Sequence, residues 1–231
     1  MIRRPSYLVA ACLLPALAGC AHRTPAPPAL APPTRYSPPE SVEARYRRIV
    51  AEREQQLGPR NPDVAAALHD LGRFLLAQQR AGDASAVLER VVSIREEAWG
   101  FDDPALLESI FDLGEAYLAD ARCVDAEAQF RRAITIADAN DRSHSVEAGR
   151  GYCGLGHAVT CQGDLPEADR VFRRASDVTE RGGGGTSALM VDILSARADI
   201  ARRTEHPREA ANLEKRAETL RRRLKLPPPS P

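Results

Sequence analysis

The segment Ile110-Phe111-Asp112-Leu113-Gly114-Glu115-Ala116-Tyr117, with Ala126 and Phe130 following it, decides the fold, because the chain writes it again at a fixed offset. Leu71-Gly72 becomes Leu113-Gly114 and then Leu155-Gly156, each step being forty-two residues (71 to 113, 113 to 155). The same step relates Ala84, Ala126 and Ala168, then Leu88, Phe130 and Phe172, then Ile94, Ile136 and Val178. A register held at so many positions marks a repeat array, clearest from Pro62 to Val178.

Within each copy the spacing predicts two antiparallel helices. Leu68, Leu71 and Leu75 follow i, i+3, i+7 spacing, the apolar stripe of an amphipathic helix, and Gly72 beside the stripe lets a second helix approach. Ala84, Leu88 and Val91 supply that second helix. Arg80-Ala81-Gly82-Asp83 and Cys161-Gln162-Gly163-Asp164 are the predicted turns between them.

A large residue, two others, Leu-Gly, two others, Tyr, then Ala, three others and Phe: this pattern resembles the tetratricopeptide signature. Copy two carries it as Ile110, Leu113-Gly114, Tyr117, Ala126 and Phe130, and copy three as Tyr152, Leu155-Gly156, Val159, Ala168 and Phe172. The long period, with a loop such as Trp99-Gly100-Phe101-Asp102-Asp103-Pro104, is similar to the kinesin-light-chain type of the repeat. The sequence departs from the signature in having Leu, Ile or Tyr where Trp is usual, and Leu75 and Leu88 in place of aromatics in copy one. The resemblance implies an all-α solenoid of antiparallel helix pairs coiled as a right-handed superhelix. Its packing positions are Leu71, Gly72, Ala84, Leu113, Gly114, Tyr117, Ala126, Phe130, Leu155, Gly156, Ala168 and Phe172.

The register extends beyond the clear copies. Tyr46-Arg47-Arg48-Ile49-Val50 stands one period before Leu88-Glu89-Arg90-Val91-Val92, so a lone leading helix is expected over 41–60, before three repeats over 61–181. Ala198, Ala210 and Ala217 continue the alanine register, so a degenerate fourth repeat is expected over 188–225, with Arg197 and Glu214 where Leu and Phe stood. Such terminal copies act as polar caps. Gly182 to Gly185 predict a flexible joint at 182–187 on which that copy pivots. Arg221-Arg222-Arg223 suit the negative end of a last helix, before a proline-rich tail over 226–231.

Of the 231 residues 43% are hydrophobic and only 5% aromatic, which suits helices better than strands. The formal net charge is zero, so neither nucleic acid nor an anionic membrane face is implied as a partner. Met1-Ile2-Arg3-Arg4 followed by the apolar run Tyr7 to Leu17 reads as a secretory signal over 1–19. Leu17-Ala18-Gly19-Cys20 resembles the bacterial lipobox, which implies cleavage before Cys20 and lipidation of its thiol; the alternative is an ordinary signal with a chance cysteine. Ala21 stands where Asp commonly retains a lipoprotein at the inner membrane, which favours the periplasmic face of the outer membrane. The rest of 20–40 is proline-rich, an extended stalk. Contact with the membrane is expected through the lipid anchor alone.

Cys123, Cys153 and Cys161 remain in an oxidising compartment. Cys123 opens a second helix and Cys161 closes the next first helix; stacking brings those ends together, leaving a disulfide or free buried thiols as the two readings. Cys153, His157 and Cys161 share one helical face, but i and i+8 are too far apart for one tetrahedral ion, so only the i, i+4 pair chelates, with any further ligand from a neighbouring helix. No metal or cofactor is expected, and a metal or redox protein built on these three residues is the remote alternative. Neither a nucleophile elbow nor a phosphate loop occurs, so no catalytic residue is assigned.

Binding remains. In the family resembled, the first helices of successive repeats line a concave groove. Its positions here are Ala66, His69, Arg73 and Leu76; Glu108, Phe111, Glu115 and Leu118; Arg150, Cys153, His157 and Thr160; and Asp192, Ser195, Asp199 and Arg202. Phe111 is the expected exposed anchor, with Arg73 and Arg150 gripping a partner carboxylate or else neutralised by Glu115. The expectation is a non-enzymatic scaffold lipoprotein that takes a peptide or protein partner in this groove. An assembly or pilotin-like factor for an outer-membrane secretion, pilus or barrel machine is the alternative.

Overall fold

The computed structural model describes residues 41–228, and the signal segment, Cys20, the proline stalk and the final tail residues 229–231 lie outside them. The first helix, α1 (Val42–Leu57), precedes three hairpins: α2 (Pro62–Ala77) with α3 (Ala81–Trp99), α4 (Leu107–Ala119) with α5 (Cys123–Ala139), and α6 (Val146–Gln162) with α7 (Leu165–Arg181). A fourth follows, α8 (Ala188–Arg203) with α9 (Pro207–Leu224). No strand occurs among the described residues, and no helix there is long and apolar enough to cross a membrane.

The forty-two-residue period has a direct packing cause. On each first helix a glycine receives the large side chain of its partner: a Cβ added at Gly72 would meet Leu88 at 2.8 Å, at Gly114 Phe130 at 2.7 Å, and at Gly156 Phe172 at 2.7 Å. Leu88, Phe130 and Phe172 are fully buried there, as are Ala84, Ala126 and Ala168 one turn earlier, and Leu71, Leu113, Tyr117 and Leu155 are nearly so. In the fourth hairpin Ala198 and Glu214 occupy the two paired positions. With the large knob gone, the glycine is no longer required. Arg197, in the leucine position, is only 12% exposed and is paired with Asp169 of α7 at 3.1 Å and Glu209 of α9 at 3.3 Å, so an ion pair joins the buried Ile193 and Ile200 in holding the last hairpin to the stack.

The turn of the third hairpin falls at Gly163-Asp164, within the predicted segment, but that of the first falls slightly earlier than the sequence predicts. Ala81, Gly82 and Asp83 form the first turn of α3, and the chain reverses at Gln78 to Arg80. One left-handed residue sits at the same period in all four hairpins: Gln79, Ala121, Gly163 and Glu205, with φ of 58°, 58°, 90° and 63°. In three of them the next amide reaches back to a helix carbonyl, Arg80 to Leu75, Arg122 to Tyr117 and His206 to Ala201, the closure that ends a helix in this way.

Between hairpins the loops are of two kinds. Gly58 and Gly100 carry positive φ in the first two and lead to caps by Asn61 and Asp103. Asp141 and Gly183 do so in the last two, and Ser145 and Ser187 cap α6 and α8. Where the sequence predicts a flexible glycine joint, Gly184 N–H bonds to Thr179 O at 2.8 Å and Ser187 Oγ donates to Gly184 O at 2.6 Å. A Cβ at Gly182 would come within 2.7 Å of His144 O, so these glycines let the turn lie against the preceding loop.

Cys123 and Cys161 form a disulfide with a Cα separation of 5.8 Å, joining the second hairpin to the third. Stacking of the two turns supplies that proximity. Cys153 remains a buried thiol.

Candidate functional site

The first helices α2, α4, α6 and α8 lie in sequence against one another, with α2 touching α4, α4 touching α6 and α6 touching α8. Their facing positions carry the groove residues. Arg73, Glu108, Glu115 and Asp199 are exposed, and Leu76, Leu118, Arg150, His157 and Thr160 are half-buried.

Three expected groove residues are instead interior: Cys153 of α6, and two that the next repeat covers. His69 is buried, and its Nε2 donates to the Asp112 carboxylate at 2.8 Å. Phe111, expected as an exposed anchor, is 2% exposed because the Arg150 guanidinium lies 4.6 Å above its ring. The cause in both cases is the same: neighbouring first helices approach closely enough for a side chain of one repeat to cover that of the next.

Asp112, which sequence reading did not assign to the groove, is the centre of this arrangement. It accepts from His69 and from Arg150 at 3.4 Å, with Arg73 Nε at 3.9 Å. Arg150 also donates to Glu115 at 2.6 Å, so the arginine is held by acids of the preceding repeat. Burial opposes ionisation of Asp112, but the hydrogen bond and charge of His69, aided by Arg150 and Arg73, hold its carboxyl below the usual range. The only available signal was the run of charges on α2, α4 and α6, which does not say which ones meet.

Between α4, α6 and α8 a cavity of about 430 Å³ opens. Phe111, Phe130, Cys153 and Gly154 line it together with Leu118 and Leu189, and charged Glu115, Glu147, Arg150 and Asp192 stand around them. On this side α6 presents Cys153 and Gly154, the latter pressed against Phe130, so little side chain fills the space. Leu189 and Glu147 stand three residues, one helical turn, before Asp192 and Arg150, the first groove positions expected on α8 and α6.

At one wall of the cavity Cys153 Sγ donates to Asp192 Oδ2 at 3.3 Å, and His157 Nε2 lies 3.2 Å from the same oxygen. The imidazole stands edge-on to Phe172, with ring centroids 5.0 Å apart. Burial, then the Asp192 charge, pushes the Cys153 thiol well up, so it is not an activated thiolate nucleophile. Cys161, the third member of the set read from sequence, is in the disulfide and is not available beside Cys153 and His157.

A family model described as tetratricopeptide repeat matches residues 63–139 and 147–223. No curated protein matches the chain. Among solved structures, the nearly identical TPR-like repeats of a putative kinesin light chain from Podosopora anserina align with TM-score 0.63 and 19% identity, over 78% of this chain and 85% of that one. BtubC (BKLC) from P. vanneervenii aligns with TM-score 0.66 and 18% identity, over 82% of this chain and 76% of that one. MamA aligns with TM-score 0.55 and 15% identity, over 80% and 97%. These identities carry the fold alone. With helix pairs repeating at the signature glycines and the family match spanning most of the array, the chain belongs to the tetratricopeptide repeat family.

Proposed function

We propose that this protein is a non-enzymatic interaction scaffold, lipidated at Cys20 and held at the periplasmic face of a bacterial outer membrane. Its groove receives a segment of a protein partner at α6. The tetratricopeptide fold itself supports an interaction scaffold. The observation carrying the finer reading is the cavity between α4, α6 and α8, an apolar floor ringed by charges of both signs. Such a site suits an extended peptide or amphipathic helix that inserts one apolar side chain and satisfies Glu147 and Asp192 at the rim. Arg150 is already engaged by Asp112 and Glu115, so it shapes the wall, and a carboxylate from the partner has to compete for it.

A photo-crosslinking residue at Leu118 or Leu189, in cells making the full chain, tests this. One defined partner band is expected at both positions and none at the exposed Thr135 of α5. Leu189→Arg should abolish the Leu118 band with little change in melting temperature. Equal labelling at Thr135, or bands indifferent to Leu189→Arg, removes the groove reading. Cys20→Ser tests the anchor separately and should release the protein from the membrane fraction.

A further inference from the structure

We propose that Cys153, His157 and Asp192 form a binding site for a zinc-class divalent cation, bridging the third and fourth hairpins at the wall of the groove. Two observations converge on it. The Sγ, imidazole nitrogen and carboxylate oxygen all lie within 4.8 Å of one another. The two contacts to Asp192 Oδ2, 3.3 Å from Cys153 Sγ and 3.2 Å from His157 Nε2, are near the edges of a tetrahedron around zinc. Ordinary zinc bond lengths give edges of about 3.4 to 3.6 Å, so small side-chain shifts suffice to admit an ion.

The sequence supplies the rest of the logic. Cys153 and His157 are i and i+4 on α6, which puts two ligands on one helix face, and Asp192 arrives from α8 of the next hairpin. Thiolate, imidazole and carboxylate together are a zinc ligand set, and three protein ligands leave a fourth position facing the cavity. Phe172 against the His157 ring fixes its orientation. Arg150, the nearby cation that lines the same cavity, is neutralised by Asp112 and Glu115. On binding, the Cys153 S–H bond breaks, its proton leaves to solvent, and the sulfur electron pair forms the bond to the metal.

The site shares Asp192 and the cavity wall with the peptide reading but does not depend on it, because the chain alone supplies all three ligands. The experiment is titration of the non-reduced full chain in detergent with Co²⁺, followed by Zn²⁺ displacement against a chromophoric chelator. The expected result is one Co²⁺ per chain with a thiolate-to-cobalt charge-transfer band that Zn²⁺ removes. Asp192→Asn and His157→Gln should each weaken binding at least about tenfold, while Asp199→Asn on the same helix should not change it. Circular dichroism melts show that each variant is folded. Cys153→Ala should erase the band. No band in folded wild-type protein, or a band that persists in Cys153→Ala, overturns the proposal.

Discussion

Gly114 lies directly under the ring of Phe130, so that a Cβ built there would meet Cζ at 2.7 Å. From the next hairpin Gly154 presses on the same ring. Phe130, 1% exposed, is therefore held between two glycines of different repeats. Gly114→Leu should overpack this contact and destabilise the protein by roughly 1–3 kcal/mol or more. Gly154→Ala should also destabilise it, since the added methyl meets a ring already fixed by Gly114. Thermal melts of both variants check this, and wild-type stability in either means that the ring has room to move.

The disulfide closes a stretch with a sequence separation of 38 and joins two hairpins. In the chain-entropy view a loop of that length contributes about 4 kcal/mol. Cys161→Ala, or reduction of the folded protein, should lower the melting temperature by several degrees. A non-reduced, denatured sample should titrate with two fewer thiols than a reduced one. Equal thiol counts would show that the bridge is absent.

Three of the four hairpin turns place a residue other than glycine in the left-handed region. That conformation costs an L-residue about 1–2 kcal/mol, part of which glycine returns through its greater freedom when unfolded. Ala121→Gly should therefore stabilise by up to about 1 kcal/mol, and Gly163→Ala should do the reverse. Chemical denaturation midpoints measured side by side decide the sign.

Asp112 gives the acid limb of stability a definite direction. Its carboxyl in the folded protein titrates below its unfolded value, which is about 3.9 for a free side chain. The stabilisation is thus present above that value and is lost as the pH falls through the lowered folded value. Asp112→Asn should flatten the fall in melting temperature between neutral pH and pH 3. At neutral pH it should cost about 1–3 kcal/mol, because His69 and Arg150 lose their charged acceptor. An unaltered pH profile in the variant would mean that other carboxylates govern the acid limb.

The hairpin architecture is written locally. A glycine sixteen residues before a large apolar side chain, as in Gly72 with Leu88 or Gly114 with Phe130, states which helices touch and where. The proximity of Cys123 and Cys161 also follows from register, because equivalent turns of stacked repeats lie side by side. The groove is different. Periodicity names the face on which His69, Phe111 and Cys153 sit, and all three lie on that face, yet each is buried.

The sequence by itself determined the repeat, its period, the pairing of helices and the turn cysteines, since these depend on spacing along the chain. The tertiary structure alone decided that Phe111 is roofed by Arg150, that Asp112 binds His69, and that Asp192, not Cys161, stands beside Cys153 and His157. These are contacts between successive first helices, whose separation depends on the summed side-chain volumes of both surfaces. No single repeat contains that sum: Cys153 and Gly154 of α6 leave a cavity, while Asp112 of α4 and Arg150 of α6 close over His69 and Phe111 of the preceding first helix.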